Sequence, residues 1–151
     1  MSLILIFILL FLDQISKYLT RVYLNHDIKI IDNFFHLTYV KNSGAAFGIF
    51  SNNKILLLYL TTFIIIALVI MYFKFNSRMN LYTNFVSILF IAGAIGNLID
   101  RIVHGYVTDM LHFYIFKYSF PVFNLADVYI SLSVFFIILF TIFGKLNFHE
   151  L

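Results

Sequence analysis

Apolar residues along this chain fall into four long runs, separated by segments that mix polar and apolar positions. The first run, 2–24, is almost wholly apolar in its first half and carries polar residues in its second half. The second, 55–73, contains no charged residue, and the third and fourth cover about 81–99 and 125–143. A membrane-crossing helix needs about 20 predominantly apolar residues. The pattern therefore predicts an α-helical integral membrane protein with four transmembrane helices and both termini on one side.

The connection between the first two runs, 25–54, is too long for a simple turn. It contains Ile28–Ile31 and 34–40, two stretches rich in β-branched and aromatic residues, with Asp32 and Asn33 between them as a turn signal. We expect a small β-rich segment here, lying on the membrane surface. The later connection, 102–124, mixes aromatic and polar residues. Because no linker or repeat is visible, we expect one membrane-embedded domain over 1–151.

Composition supports lipid as the solvent for most of the chain. Of the 151 residues 62% are hydrophobic and 11% are charged, whereas soluble domains carry about 25% charged residues. This excludes a soluble enzyme, and the formal net charge of +3 forms no basic stripe that would indicate a nucleic-acid partner. The absence of cysteine excludes disulfides, a cysteine nucleophile and thiolate metal sites. The lysines and arginines of the connections lean mildly against a cytoplasmic N-terminus, which leaves the orientation open.

Ionisable groups inside predicted spans are costly, so each is a candidate functional residue. Asp13, Lys17 and Arg21 lie four residues apart on one face of the first helix. They form either a structural ion pair or part of an active site. In the third run, Gly93 and Gly96 indicate a packing seam with another helix.

The third run ends in three polar or charged residues, Asn97, Asp100 and Arg101. They serve either helix packing or the positioning of an active-site loop, and we expect Arg101 to brace a carbonyl or carboxylate of 102–124. At the fourth run, Asn124 and Asp127 have the spacing of a helix cap with an acid three residues later. Asp109 lies among apolar residues with no capping pattern, so it needs either a hydrogen-bonding or charged partner or a functional role.

Two aspartates near the ends of neighbouring spans suggest one specific reaction. If their carboxyls share a site, one holds a proton while the other is ionised. The carboxylate can then activate water while the acid protonates a scissile carbonyl, which is peptide hydrolysis without a covalent intermediate. Acids in spans also serve ion or proton handling, so a small proton-coupled transporter is the alternative. The chain lacks the His-Glu-x-x-His motif of zinc proteases and the Gly-x-Ser-x-Gly elbow of serine hydrolases.

Five motifs in order resemble bacterial lipoprotein signal peptidase (signal peptidase II). They are Asp13-Gln14-x-Ser16-Lys17, Lys41-Asn42-Ser43-Gly44-Ala45-Ala46-Phe47-Gly48, Gly93-Ala94-x-Gly96-Asn97-Leu98-Ile99-Asp100-Arg101, Gly105-Tyr106-Val107-Thr108-Asp109 and Phe120-Pro121-x-Phe123-Asn124-x-Ala126-Asp127. The order, the spacing and the four-span layout all match, and the resemblance covers nearly the whole chain.

The resemblance implies a membrane aspartic endopeptidase that cuts the signal peptide from prolipoproteins, just before the diacylglyceryl-modified cysteine. By motif, Asp109 and Asp127 match the family's catalytic pair. The residues that match those lining or bracing the family's site are Asp13, Lys17, Asn42, Gly44, Asn97, Asp100, Arg101, Asn124 and Ala126. No metal, nucleotide or other cofactor is implied.

The resemblance also places the protein in the bacterial cytoplasmic membrane, with both termini in the cytoplasm and the 25–54 segment outside. We expect a monomer whose partners are the lipid-modified substrate and membrane lipid. Two positions depart from the family pattern. Thr108 stands where an aliphatic residue is common, and Met110 stands where phenylalanine is usual. Both leave the acids in place, and they could change the shape of the pocket.

Overall fold

The computed structural model describes residues 2–43, 54–75 and 79–144 of the chain. The order of its elements is α1 (Ser2–Tyr23), β1 (Ile28–Ile31), β2 (Phe35–Asn42), α2 (Lys54–Phe75), α3 (Leu81–His104), β3 (Val107–Ile115), β4 (Tyr118–Ser119) and α4 (Leu125–Ile142). The four predicted runs are thus confirmed as helices. Within the described ranges, α1, α3 and α4 are long and apolar enough to cross a membrane, and α2 contributes a shorter apolar stretch, Thr62–Phe75.

Helix α3 lies at the centre of the helical part and contacts α1, α2 and α4. Its buried residues Leu89 and Ala92 form a small apolar core with Tyr129 of α4. Large apolar side chains on the outer faces of α1 and α4, such as Phe7 and Phe135, are exposed. Such faces are stable against lipid tails, which are as apolar as the side chains themselves.

Two glycines allow α3 to approach its neighbours closely. A Cβ atom on Gly93 would lie 2.5 Å from the carbonyl oxygen of Ala126, and one on Gly96 would lie 2.5 Å from Oδ2 of Asp13. Both distances are far below van der Waals contact, so neither position accepts a side chain without movement. The predicted packing seam is confirmed, and it joins α3 to both α1 and α4.

The four strands form one antiparallel sheet in the order β1-β2-β3-β4. The β1–β2 hairpin confirms the β-rich segment predicted between the first two helices. The prediction did not include β3 and β4, which come from the connection between α3 and α4. Strand β2 pairs with β3 so that Val40 faces Asp109 and Asn42 faces Val107. This register brings Asn42 next to Asp109.

Helix α3 and strand β3 are joined by a very short link. Gly105 ends α3 with a left-handed φ of 74°, a conformation that glycine adopts without a steric penalty, and its N–H bonds the carbonyl of Arg101 at 3.1 Å. Only Gly105 and Tyr106 separate the two elements. As a result, the last turns of α3 lie directly beside the first residues of β3.

Candidate active site

Asp109 and Asp127 lie on different elements and line the same cavity. Asp109 is in β3 and only 1% exposed, whereas Asp127 is in the first turn of α4 and half-buried. The cavity has a volume of about 400 Å³, and its polar lining also includes Asn42, Asn97 and Arg101. The rest of its lining is mostly apolar. The structure therefore brings the two predicted acids to one accessible space.

A chain of side-chain amides connects the two carboxyl groups. Nδ2 of Asn124 donates to Oδ1 of Asp109 at 2.6 Å and to Oδ1 of Asn97 at 3.2 Å. Nδ2 of Asn97 in turn donates to Oδ1 of Asp127 at 2.8 Å. Asn42 donates to the second oxygen of Asp109 at 3.0 Å. Three asparagines from three different elements thus hold the pair in place.

Asn124 is also the N-cap of α4, as its position predicts. Its Oδ1 accepts the backbone N–H of Asp127 at 3.0 Å, and Oδ2 of Asp127 accepts the backbone N–H of Asn124 at 3.2 Å. This reciprocal capping box fixes the backbone of both residues. The cap and the site are therefore one arrangement, because the same two side chains serve both.

The ion pair predicted in α1 is present and fully buried. Nζ of Lys17 lies 2.9 Å from Oδ2 of Asp13, and neither side chain is exposed. Lys17 also donates to Oδ1 of Asn97 at 3.0 Å, while Oδ1 of Asp13 accepts the backbone N–H of Ala126 at 3.0 Å. The pair therefore ties α1 to α3 and α4 at the position of the candidate site.

Arg21, the third charged residue on that face of α1, binds elsewhere. Its Nη1 lies 3.2 Å from Oδ1 of Asp100 and 2.9 Å from Oγ1 of Thr108. The backbone N–H of Thr108 donates to Oδ2 of Asp100 at 2.7 Å. Arg21 and Thr108 are absent from the predicted site residues. The helical spacing of Arg21 was the available signal, but it did not reveal partners on α3 and β3.

Arg101 lines the cavity, but its hydrogen bond differs from the expected one. Its Nη1 donates to the backbone carbonyl of Asn97, one turn earlier in the same helix, at 3.5 Å. Among the described residues we find no brace from Arg101 to the 102–124 connection, and Asp100 is paired with Arg21 instead. Gly44, the remaining predicted site residue, lies outside the described residues.

Burial raises the pKa of Asp109 to about 6, well above its ordinary value of 3.8. The hydrogen bond from Asn42 opposes this rise, and the negative charge of Asp127 adds to it. A buried carboxylate loses hydration, which disfavours the charged form. Asp109 can therefore hold or release a proton near neutral pH, which is the property that general acid–base catalysis requires.

The family model for signal peptidase (SPase) II matches residues 5–143. The chain belongs to the signal peptidase II family. The lipoprotein signal peptidase of Clostridium tetani is 40% identical over 146 residues, which cover 94% of this chain and 92% of that protein. The lipoprotein signal peptidase of Staphylococcus epidermidis is 40% identical over 140 residues, covering 91% and 86% of the two chains.

Two solved structures of bacterial membrane enzymes share this fold. A bacterial membrane enzyme determined by the in meso method at 2.3 Å superposes with a TM-score of 0.83 and 33% identity, over 93% of this chain and 87% of that one. A second, determined by the same method at 1.9 Å, gives a TM-score of 0.78 and 34% identity, over 91% and 90%. The chain is thus a multi-pass bacterial membrane protease of a family that cleaves prolipoprotein signal peptides, and the transporter alternative has no support.

Proposed function

We propose that this signal peptidase II member is an aspartic endopeptidase in which Asp109 and Asp127 form the catalytic pair. The single observation that carries the proposal is the amide chain Asp109–Asn124–Asn97–Asp127, which holds two acids from separate elements at one cavity. Structural ion pairing does not account for this arrangement, because each acid accepts hydrogen bonds from neutral amides.

The two acids divide the chemistry between them. Asp109 carries the shared proton, since burial raises its pKa to about 6. Asp127, the more exposed of the two, is the base: its carboxylate takes a proton from water as the water oxygen attacks the scissile carbonyl carbon. Asp109 gives its proton to the carbonyl oxygen, which yields a neutral tetrahedral diol. The proton on Asp127 then passes to the departing amine as the C–N bond breaks. One hydroxyl of the diol returns its proton to Asp109 as the carboxyl product forms, so the pair again holds one proton.

The cavity lining fits the substrate class that the family implies. Val107, Phe120, Val122 and Ile130 supply apolar surface beside the two acids. Signal peptides carry an apolar central region, which such a lining would accept. We propose that cleavage occurs just before a diacylglyceryl-modified cysteine, because the lipid holds the scissile bond at the membrane surface. Asp127 lies in the first turn of α4, at a helix end, which is where such a bond would lie.

We further propose that this helix end and the sheet face the outside of the cytoplasmic membrane. A secreted lipoprotein presents its cleavage site there. We also propose that the chain is one domain that acts as a monomer.

The deciding experiment replaces each acid by its isosteric amide. Asp109→Asn and Asp127→Asn should each abolish processing of a diacylglyceryl-modified prolipoprotein by purified, reconstituted protein, because neither variant can complete the proton cycle. Asp27→Asn and Asp32→Asn are matched controls, since both are exposed acids outside the cavity. Full activity in either of the first two variants would disprove the catalytic pair. A substrate without the diacylglyceryl group tests the lipid requirement separately.

A further inference from the structure

The hairpin that joins β3 to β4 has an apolar, exposed tip. Ile115 pairs with Tyr118, so the loop consists of Phe116 and Lys117 alone. Phe116 is fully exposed at 101%, Tyr118 is 66% exposed and Ile115 is 48% exposed. We refer to residues 115–118 as the hairpin tip. Three large apolar side chains therefore surround one lysine at a surface that no described element covers.

The backbone of the hairpin tip disfavours these side chains. Phe116 and Lys117 have positive φ angles of 47° and 68°. Two-residue hairpins with two positive φ angles strongly prefer Asn-Gly, because other L-residues are sterically strained there. In the longer β1–β2 turn, the one residue with a positive φ (57°) is Asn33, a residue type that tolerates this conformation. Turn formation alone therefore does not explain a phenylalanine and a lysine at the tip.

The position of the hairpin tip indicates which surroundings stabilise it. Helix α3 ends at His104 and helix α4 begins at Leu125. The connection between two membrane-crossing helices must leave and re-enter the bilayer, so its two ends lie at the membrane–water boundary, within reach of an exposed hairpin. Tyrosine is enriched at that boundary, and phenylalanine on membrane-surface elements is buried between headgroups and acyl chains. Lysine can extend from the boundary to the phosphates of anionic lipids.

We infer that the hairpin tip inserts into the lipid interface of the bilayer, with Phe116 below the headgroups and Lys117 against anionic phosphates. This contact removes the phenylalanine ring from water and neutralises the lysine. The same hairpin carries Asp109 at its start and leads into Phe120 and Pro121, which line the cavity. Anchoring the tip would hold that edge of the cavity against the bilayer. The inference goes beyond the proposed function and does not depend on the catalytic assignment.

The chain contains no tryptophan, so a single introduced tryptophan reports on its own surroundings. Full-length Phe116→Trp is reconstituted in phosphatidylcholine vesicles containing phosphatidylglycerol, with and without acyl-chain bromination. We expect blue-shifted emission and quenching by the brominated lipids at least about threefold greater than for Asp32→Trp, which places the reporter at an exposed acid of the β1–β2 turn. Quenching of Trp at 116 no greater than at 32 would overturn the inference.

Two further variants distinguish a lipid contact of the hairpin tip from a contact with protein. Phe116→Asn favours the observed backbone, because asparagine tolerates positive φ, but it removes the ring. Its reconstituted protein should be more accessible to aqueous protease between β3 and β4 than the parent, and equal protection would count against insertion. Lys117→Gln, combined with Phe116→Trp, should reduce the dependence of quenching on phosphatidylglycerol. A blue shift that requires added prolipoprotein, or that grows with protein density in the vesicle, would assign the tip to substrate or a second copy and overturn the inference.

Discussion

Removing the amide of Asn42 tests how the acid pair holds its proton. Burial raises the pKa of Asp109 to about 6, and the hydrogen bond from Asn42 Nδ2, 3.0 Å from Oδ2 of Asp109, opposes that rise. In Asn42→Ala this donor is gone, while Asn124 still donates to the other oxygen. The carboxylate form of Asp109 loses more stabilisation than the acid form. The pKa of Asp109 should therefore rise further.

The size of the shift follows from the bond that is lost. Hydrogen bonds to charged groups contribute roughly 1.5–3 kcal/mol. Asn42 is half-buried, so water can replace part of this contribution, and we use about 0.7–1.4 kcal/mol as the net loss. At about 1.4 kcal/mol per pKa unit, the pKa of Asp109 rises by about 0.5–1 unit. Because the reactive pair holds one proton, the alkaline limb of kcat/KM moves to higher pH by that amount.

The assay is the pH profile of kcat/KM for a diacylglyceryl-modified substrate, measured from about pH 5 to about pH 9. Asn42→Ala should have a lower maximum, because the side chain also lines the cavity, and an alkaline limb displaced upward. Asn25→Ala, which changes an exposed asparagine outside the cavity, should leave the profile unchanged. An alkaline limb that stays in place or moves to lower pH would refute the assignment of the proton to Asp109.

Three other substitutions test the surrounding contacts. Thr108→Val keeps the side-chain shape and the backbone N–H but removes the hydroxyl that accepts a hydrogen bond from Arg21. It should lower the unfolding free energy by about 1–2 kcal/mol, whereas Thr108→Ser should stay close to wild type in the same thermal melt in detergent. Lys17→Met leaves the buried Asp13 unpaired and should cost about 3–5 kcal/mol, and adding Asp13→Asn should recover much of that loss. Arg101→Lys should reduce processing about tenfold at matched membrane levels, equivalent to about 1.4 kcal/mol, because a point charge cannot replace the planar guanidinium beside the acids. Full activity of this variant would show that Arg101 is only a solvated residue at the end of α3.

The helices could be predicted because the lipid solvent selects long apolar runs, and each predicted run contains most of one observed helix. The end of α3 was harder to predict. The apolar run stops near residue 99, yet the helix continues to His104. The continuation is stable because Asp100, fully buried, is paired with Arg21 and accepts the N–H of Thr108. Both partners lie on other elements, so the sequence pattern around residue 100 could not predict them.

Only the part of the sheet formed by strands close together in the sequence could be predicted. The β1–β2 hairpin shows its turn residues and β-branched stretches within a few positions of each other. Strand β3 shows no regular alternation in Val107–Ile115, and its partner β2 lies far away in the chain. Asn42 and Asp109, for example, are 67 residues apart and in direct contact. Pairing over such a distance depends on how α1 and α3 pack, which the sequence pattern does not encode.

For the site, residue types and motif order indicated which side chains matter, and the structure adds how they depend on one another. The sequence left open whether Asp13 and Lys17 are a structural ion pair or belong to the site, and it left the same choice for Asn97. The contacts remove that distinction. Lys17 neutralises Asp13 and also donates to Oδ1 of Asn97, so a single cation serves both the helix packing and the amide chain.

These contacts also determine which way the two central amides point. Oδ1 of Asn97 accepts from the ammonium of Lys17 and from Asn124, so turning this amide over would direct its NH₂ group at a buried cation. Its donors must therefore face Asp127. Oδ1 of Asn124 is likewise required by the N–H of Asp127 at the helix cap, which leaves its NH₂ group for Asp109. A lysine in α1 and the cap of α4 thus orient the donors at both acids. Groups distant from the reacting bond therefore belong to the same network as the acids themselves.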